Sequence, residues 1–190
     1  MLRLCLLALA LIVTPTDDRV MLEVRVFAGA HEVTQETRIT VHQAADRQTP
    51  VAQVTRPAGK VEIPVAPGIY DVQAIRERDG RVVAIRWVER LAVMAYPDED
   101  GHHLEVINLV SGFGALQARS RAAPAAVPDV AVYEAGTRTK PVAAPVPGDG
   151  YALFVLPAGR YDLRVLQGTR LTWRADLEAP LDRTRLVIVP

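Results

Sequence analysis

The segments VAPGIYDVQAI (Val65–Ile75) and LPAGRYDLRVL (Leu156–Leu166) repeat one pattern at an offset of 91 residues. Each has a proline, then a glycine, then Tyr-Asp, and then apolar residues that alternate with polar ones. Glycine two positions before the tyrosine permits a sharp turn, and the upstream proline fixes φ and cannot donate to a strand ladder. The tyrosine can then pack inward and donate its hydroxyl to the upstream backbone, as in the tyrosine corner of Greek-key sandwiches. This pattern predicts structural roles for Gly68, Tyr70, Gly159 and Tyr161.

The repeat extends well beyond these two segments. Residues 39–75 align with residues 130–166 without a gap, and Trp87 then matches Trp173 because the second copy is shorter by five residues. Two copies of about 80 residues indicate two domains rather than a solenoid, which needs three or more short units. The sequence therefore predicts an internal duplication.

Short segments with period-two alternation, bounded by Gly, Pro and Asp, predict β-strands throughout both copies. In LTWRADL (171–177) and its counterpart, this alternation predicts that Trp173 and Trp87 point into the core. We expect an all-β protein of two tandem Greek-key, Ig-like (prealbumin-like) β-sandwiches. The expected ranges are 19–110 for the first sandwich, 111–128 for a linker with a possible first strand of the second, and 129–190 for the second.

The first sixteen residues, MLRLCLLALALIVTPT, resemble an export signal. Arg3 precedes an apolar run of ten residues, which is too short for the ~20 that span a bilayer but fits a secretory signal. We predict a signal peptide at residues 1–16, a periplasmic or secreted protein, and no transmembrane span in the mature chain. A buried N-terminal strand is the alternative. Removing the segment also removes Cys5, the only cysteine.

The composition disfavours several functions. Twenty-two basic and 22 acidic residues cancel without a basic block, so nucleic acid is not an expected partner. Neither Ser111 nor Ser120 lies in a G-x-S-x-G setting, and the adjacent His102 and His103 should face opposite sides of a strand. We predict a protein that is not an enzyme and needs no cofactor or metal.

One acidic cluster, PDEDGHH (97–103), offers a weaker metal candidate. Carboxylates of Asp98, Glu99 and Asp100 could bind Ca²⁺. A solvated hairpin tip closed by Asp-Gly explains the same residues and is favoured.

The chain resembles carboxypeptidase regulatory-like, transthyretin-type β-sandwich domains and, more distantly, PEGA repeats of bacterial envelope proteins. The resemblance depends on Pro50-Val51-Ala52, Gly59 and the PG-x-YDV segment, with Pro141-Val142-Ala143, Gly150 and LPAGRYDLRVL in the second copy. It implies a non-catalytic module that presents or braces other proteins.

These observations favour an exported binding or structural accessory protein for another envelope or secreted protein. The open edge of a sheet could accept a strand of that partner. The alternatives are a carbohydrate-binding module and a periplasmic chaperone-like or adhesin-like protein. An adhesin-type isopeptide bond would use Lys60 and Asn108 in the first copy.

Overall fold

A computed structural model describes residues 19–55, 57–58, 60–94 and 102–190, and in these ranges the regular structure is β-strand except for one 3₁₀ turn at Thr34–Glu36. This confirms the predicted all-β fold class. The proposed signal segment and the acidic residues Asp98, Glu99 and Asp100 lie outside the described residues.

The first sandwich consists of two sheets of four strands each. Outer sheet 1 has the antiparallel order β4-β3-β6-β7, and inner sheet 1 is centred on β1, which is antiparallel to β2 and β5 and parallel to β8. Apolar side chains such as Leu22, Ile39 and Val72 fill the space between the two sheets. The strands are β1 Val20–Ala28, β2 His31–Glu32, β3 Thr37–Gln43, β4 Asp46–Thr55, β5 Val61–Val65, β6 Gly68–Arg78, β7 Arg81–Val93 and β8 His102–Asn108.

The second sandwich repeats the central strands of this topology, but its outer sheet has three strands rather than four. Inner sheet 2 has the order β11-β12-β9-β15, in which β9 and β15 are parallel as β1 and β8 are, and outer sheet 2 has the order β10-β13-β14. The first strand of this sandwich, β9, comes from the range expected to contain the linker. The strands are β9 Phe113–Ser120, β10 Asp129–Glu134, β11 Val146–Gly148, β12 Tyr151–Pro157, β13 Gly159–Gln167, β14 Arg170–Ala179 and β15 Thr184–Val189.

A third apolar cluster lies between the two inner sheets. Phe27, Leu104 and Val106 of the first half pack there against Tyr151 and Leu153 of the second half. The sheets are therefore layered as outer 1, inner 1, inner 2 and outer 2, and the central strand β1 of inner sheet 1 is covered on both faces.

Both Pro-Gly-Tyr-Asp segments form the same corner. The hydroxyl of Tyr70 donates to the carbonyl oxygen of Ala66 at 2.7 Å, and that of Tyr161 donates to Pro157 at 2.8 Å. Gly68 begins β6 without a positive φ, and a Cβ added there would lie 3.4 Å from the Tyr70 ring, an ordinary contact distance. Gly159 begins β13 in the same way. These two glycines therefore provide a surface for the tyrosine ring and do not form a left-handed turn.

The prediction that Trp87 and Trp173 point into the core is wrong. Both side chains are half-buried on the outer faces of the outer sheets, whereas Val88 and Leu91 reach the core. The cause is a β-bulge: Val88 and Leu91, three residues apart, pair with Val72 and Tyr70, which are two apart. An extra residue in one strand reverses the alternation on either side of it. The second copy has the same bulge between the partners of Tyr161 and Leu163.

Candidate functional site

A cleft with a volume of about 480 Å³ lies where inner sheet 1 meets the β11–β12 turn of the second half. Four carboxylates and two basic side chains line it, so the cleft is electronegative. They are Glu23, Glu32, Glu36 and Asp149, with Arg25 and Lys60.

Glu23 of β1 is the buried centre of this cleft, with only 2% of its surface exposed. The Tyr151 hydroxyl donates to Glu23 Oε1 at 2.5 Å, and His102 Nε2 lies 2.8 Å from Oε2. Burial alone would raise the pKa of Glu23, but the hydrogen bonds from His102 and Tyr151 and the charges of His102 and Arg25 hold it below its usual value. Burial raises the pKa of Tyr151, and the neighbouring Glu23 raises it further. The pair is therefore an ionised carboxylate beside a protonated phenol.

Arg25 joins the two halves beside this pair. Its guanidinium contacts both carboxylate oxygens of Glu32, with Nε at 3.0 Å and Nη2 at 2.5 Å, a bidentate arrangement. Its Nη1 donates across the interface to the Tyr151 hydroxyl at 3.2 Å and to the Pro147 carbonyl at 3.3 Å. The charge of Arg25 is thus satisfied within the cleft, which fixes the position of Tyr151.

Glu62 of β5 lies directly opposite Glu23 in the antiparallel pairing. Lys60 Nζ contacts Glu62 at 2.7 Å and also pairs with Asp149 of the second half. One ligand atom each from Glu23, Glu62 and His102 lie within 4.8 Å of one another. Among the described residues, this is the set that could hold a metal ion.

The outer faces carry a second arrangement, which occurs once in each half. The guanidinium of Arg47 covers the Trp87 ring at 4.4 Å, and Arg138 covers Trp173 at 4.6 Å. Each arginine also contacts the aspartate of the corner motif at 2.8 Å, Asp71 or Asp162. These aspartates accept a backbone N–H from the bulge at 2.9 Å. In each Tyr-Asp pair, the tyrosine therefore stabilises the corner and the aspartate stabilises the bulge.

No strand within the described ranges pairs with the outer edge of β7, so outer sheet 1 is open there along the first part of β7. Val82, Val83 and Ile85 are exposed by 52%, 54% and 54%. Further along the strand the edge is covered, because Arg183 donates to the Glu89 carbonyl at 3.0 Å and Asp182 contacts Arg86 at 2.5 Å. The open part is thus short, apolar and bounded by charge.

The remaining candidate residues have structural contacts. Ser120 Oγ donates to the Pro190 carbonyl at 2.9 Å and accepts the Ala123 N–H. The Asn108 side chain bonds both backbone groups of Gly29, while Lys60 pairs with carboxylates. Lys60 and Asn108 therefore bond to different residues in this structure.

Sequence reasoning missed Glu23, Arg25 and Tyr151 as a group. The alternating strand MLEVRVF places Glu23 and Arg25 on one face, which reads as a solvated face until the second half is known to cover it. The available signal was the tyrosine directly after Gly148-Asp149-Gly150, a residue type that needs a hydroxyl partner when buried.

No protein-family model matches the chain, and no curated protein matches it. Three solved structures show distant similarity, each over 90% of this chain. They are the Bacillus anthracis TIE protein (15% identity, TM-score 0.30), the tip fimbrial protein Mfa3 from Porphyromonas gingivalis with a C-terminal truncation (10%, 0.34), and GBS52, the minor pilin of Streptococcus agalactiae (12%, 0.27). The chain covers 33%, 93% and 94% of these structures, so it spans about a third of the TIE chain.

These similarities are too distant to carry a functional argument. Within the described ranges, the chain forms no helix whose length and hydrophobicity would let it cross a membrane.

Proposed function

We propose that this chain is a non-enzymatic, exported binding or accessory protein that docks a partner protein of the cell envelope. The observation that carries the proposal is the apolar edge of β7, which is open along its first part. The export signal predicted at residues 1–16 and the resemblance of the sequence to carboxypeptidase regulatory-like domains support the same assignment.

The two edges of outer sheet 1 differ in how they are protected. The β4 edge carries Pro50 and an irregular register next to it, and both features discourage the addition of a strand. The first part of β7 has three exposed apolar side chains and no proline. An extended partner segment with alternating apolar residues would extend this sheet by main-chain hydrogen bonds.

The test is to crosslink the tagged protein in its native cells and identify what co-purifies at near-equal abundance. A lysine on the edge should block strand addition, so Val83→Lys should lose the dominant partner. Val142→Lys is the matched control, because Val142 is 49% exposed on the second half. Recovery of the protein alone, or equal loss in both variants, would contradict docking at β7.

A carbohydrate-binding module is the second candidate, because the two tryptophans lie on the outer faces. Tyr133 is buried against Trp173 with ring centroids 5.1 Å apart, and the half-buried Trp173 ring keeps part of its surface in solvent. Arg138 already covers the Trp173 ring, which leaves less of it for stacking. If native gels that contain glycan retard the protein, and Trp173→Ala abolishes this retardation, the result would favour this candidate over protein docking.

A further inference from the structure

We infer that Glu23, Glu62 and His102 form a binding site for one divalent transition-metal ion of the Zn²⁺ class. The site would lie on the face of inner sheet 1 that meets the second half.

The three strands β5, β1 and β8 bring the three side chains together on one face of the sheet. Glu62 of β5 pairs directly with Glu23 of β1, and His102 of β8 pairs with Met21, two residues before Glu23. Side chains of directly paired residues share one face of a sheet. The ladder hydrogen bonds of the central strand β1 therefore fix the backbone from which the ligands project.

The donor set and its spacing suit such an ion. One imidazole nitrogen and two carboxylate oxygens are ordinary Zn²⁺ ligands, with bond lengths of about 2.0–2.2 Å. The three atoms already lie within 4.8 Å of one another. An ion between them would replace the direct 2.8 Å contact of His102 Nε2 with Glu23 Oε2 by separate bonds from each atom to the metal. Binding would use the lone pair of His102 Nε2, so any proton there would be released to solvent.

The surroundings of Glu23 match those of a metal ligand. The Tyr151 hydroxyl holds Oε1 at 2.5 Å and leaves Oε2 facing His102, and Arg25 in turn donates to Tyr151 at 3.2 Å. Hydrogen-bonded partners of this kind orient metal ligands and strengthen binding. Here the orienting residue, Tyr151, comes from the second half, so the ligand is positioned only when the two halves are packed.

The charges also indicate a cation between the strands. Like charges directly opposite one another in a sheet are destabilising, and Glu23 and Glu62 are such a pair. At present Lys60 neutralises Glu62 from the rim of the cleft, at 2.7 Å. The Lys60 side chain is 42% exposed and contacts Asp149 at the same time, so it can leave Glu62 and keep one carboxylate partner. Lys60 therefore acts as a competitor that a metal ion displaces.

The test is titration calorimetry of the untagged full chain with ZnCl₂, repeated with Co²⁺ for its absorption spectrum. We expect one ion per chain, with affinity reduced at least about tenfold in Glu62→Gln and in His102→Gln. His31→Gln is the matched control, since His31 is an exposed histidine on β2. Lys60→Gln should bind several-fold more tightly, which a purely structural role for Lys60 would not produce.

Absence of binding by the wild-type chain would overturn the inference, and so would equal affinity in His102→Gln and His31→Gln. An Asp98→Asn/Asp100→Asn variant separates the acidic cluster from this site. Loss of Zn²⁺ in that variant with retention in Glu62→Gln and His102→Gln would also refute the assignment. Because Glu62 is part-exposed, its variant keeps the test valid if His102→Gln fails to fold.

Discussion

Replacing Glu105 by glutamine should stabilise the protein, and the gain should grow as the pH rises. Glu105 of β8 is 2% exposed and pairs with the core residue Val24. Its Oε1 has no hydrogen-bond partner among the described residues. Burial raises the pKa of Glu105 to about 8, against the weaker opposing charge of Arg183.

The sign and size follow from proton linkage. A group with a raised folded-state pKa contributes its full stability below the unfolded value of 4.5, where both states are protonated. Between pH 4.5 and 8 the unfolded chain releases this proton and the folded chain retains it, so stability falls by about 1.4 kcal/mol per pH unit. The total loss above pH 8 is roughly 5 kcal/mol, an upper figure because water reaching the carboxylate would reduce it.

Urea denaturation of wild type and Glu105→Gln, measured by tryptophan fluorescence from pH 5 to 9, isolates this group. Glutamine has nearly the same size and no charge, so the two proteins should differ by under about 1 kcal/mol at pH 5. By pH 9 the variant should be more stable by several kcal/mol. Glu178→Gln, at an exposed position on β14, is the control and should show no pH-dependent difference. Parallel curves for wild type and Glu105→Gln would refute a buried Glu105 whose pKa is raised in the folded state.

Two further predictions concern the tyrosines. Tyr70→Phe removes the 2.7 Å bond to the Ala66 carbonyl and should lower the free energy of unfolding by about 1 kcal/mol or somewhat more; an unchanged denaturation midpoint would argue against the corner as a stabilising contact. Gly148→Ala would place a Cβ inside the Tyr151 ring and should displace that ring from Glu23, costing about 1–3 kcal/mol. Gly68→Ala, where the added Cβ meets only ordinary contacts, should fold normally, and a similar loss in both variants by thermal unfolding would contradict this interpretation.

The sequence was sufficient for the features that depend on local patterns. The duplicated Pro-Gly-Tyr-Asp segments and the alternating strands predicted two β-sandwiches, because a corner and a strand are specified by residues close together in the chain. The bulge at Arg90 was not predictable from alternation, since a single extra residue reverses the face on which Trp87 lies. Alternation predicts that Trp87 and Leu91 both point into the core, but only Leu91 does.

The cleft could not be predicted for a different reason. Glu23 and Arg25 are polar residues at alternating positions, and such positions normally face solvent. Both contact the hydroxyl of Tyr151, which is more than 120 residues away in sequence. An isolated first sandwich would leave the same face in water, so no local signal distinguishes the two cases.

The duplication itself explains why the candidate site is asymmetric. The two copies keep equivalent outer faces, with arginine over tryptophan in each. On the inner sheets, the strand registers match Glu23 with Gln117 and Glu62 with Leu153. The two inner faces pack against each other, so a carboxylate at both positions in each copy would have placed carboxylates against carboxylates. At these two positions the carboxylates therefore occur in the first copy, while the second has the amide of Gln117 and the apolar side chain of Leu153.

The same registers match Glu105 with Val187, because each lies beside the corresponding core residue, Val24 or Ala118. Val187 is buried in the second core, so the fold tolerates an apolar side chain at this position. A carboxylate there is not required by the architecture and lowers stability near neutral pH. Glu105→Val should therefore stabilise the first half at pH 8, as Glu105→Gln does. A loss of stability in both variants would contradict this and would mean that Glu105 makes a contact on which the fold depends.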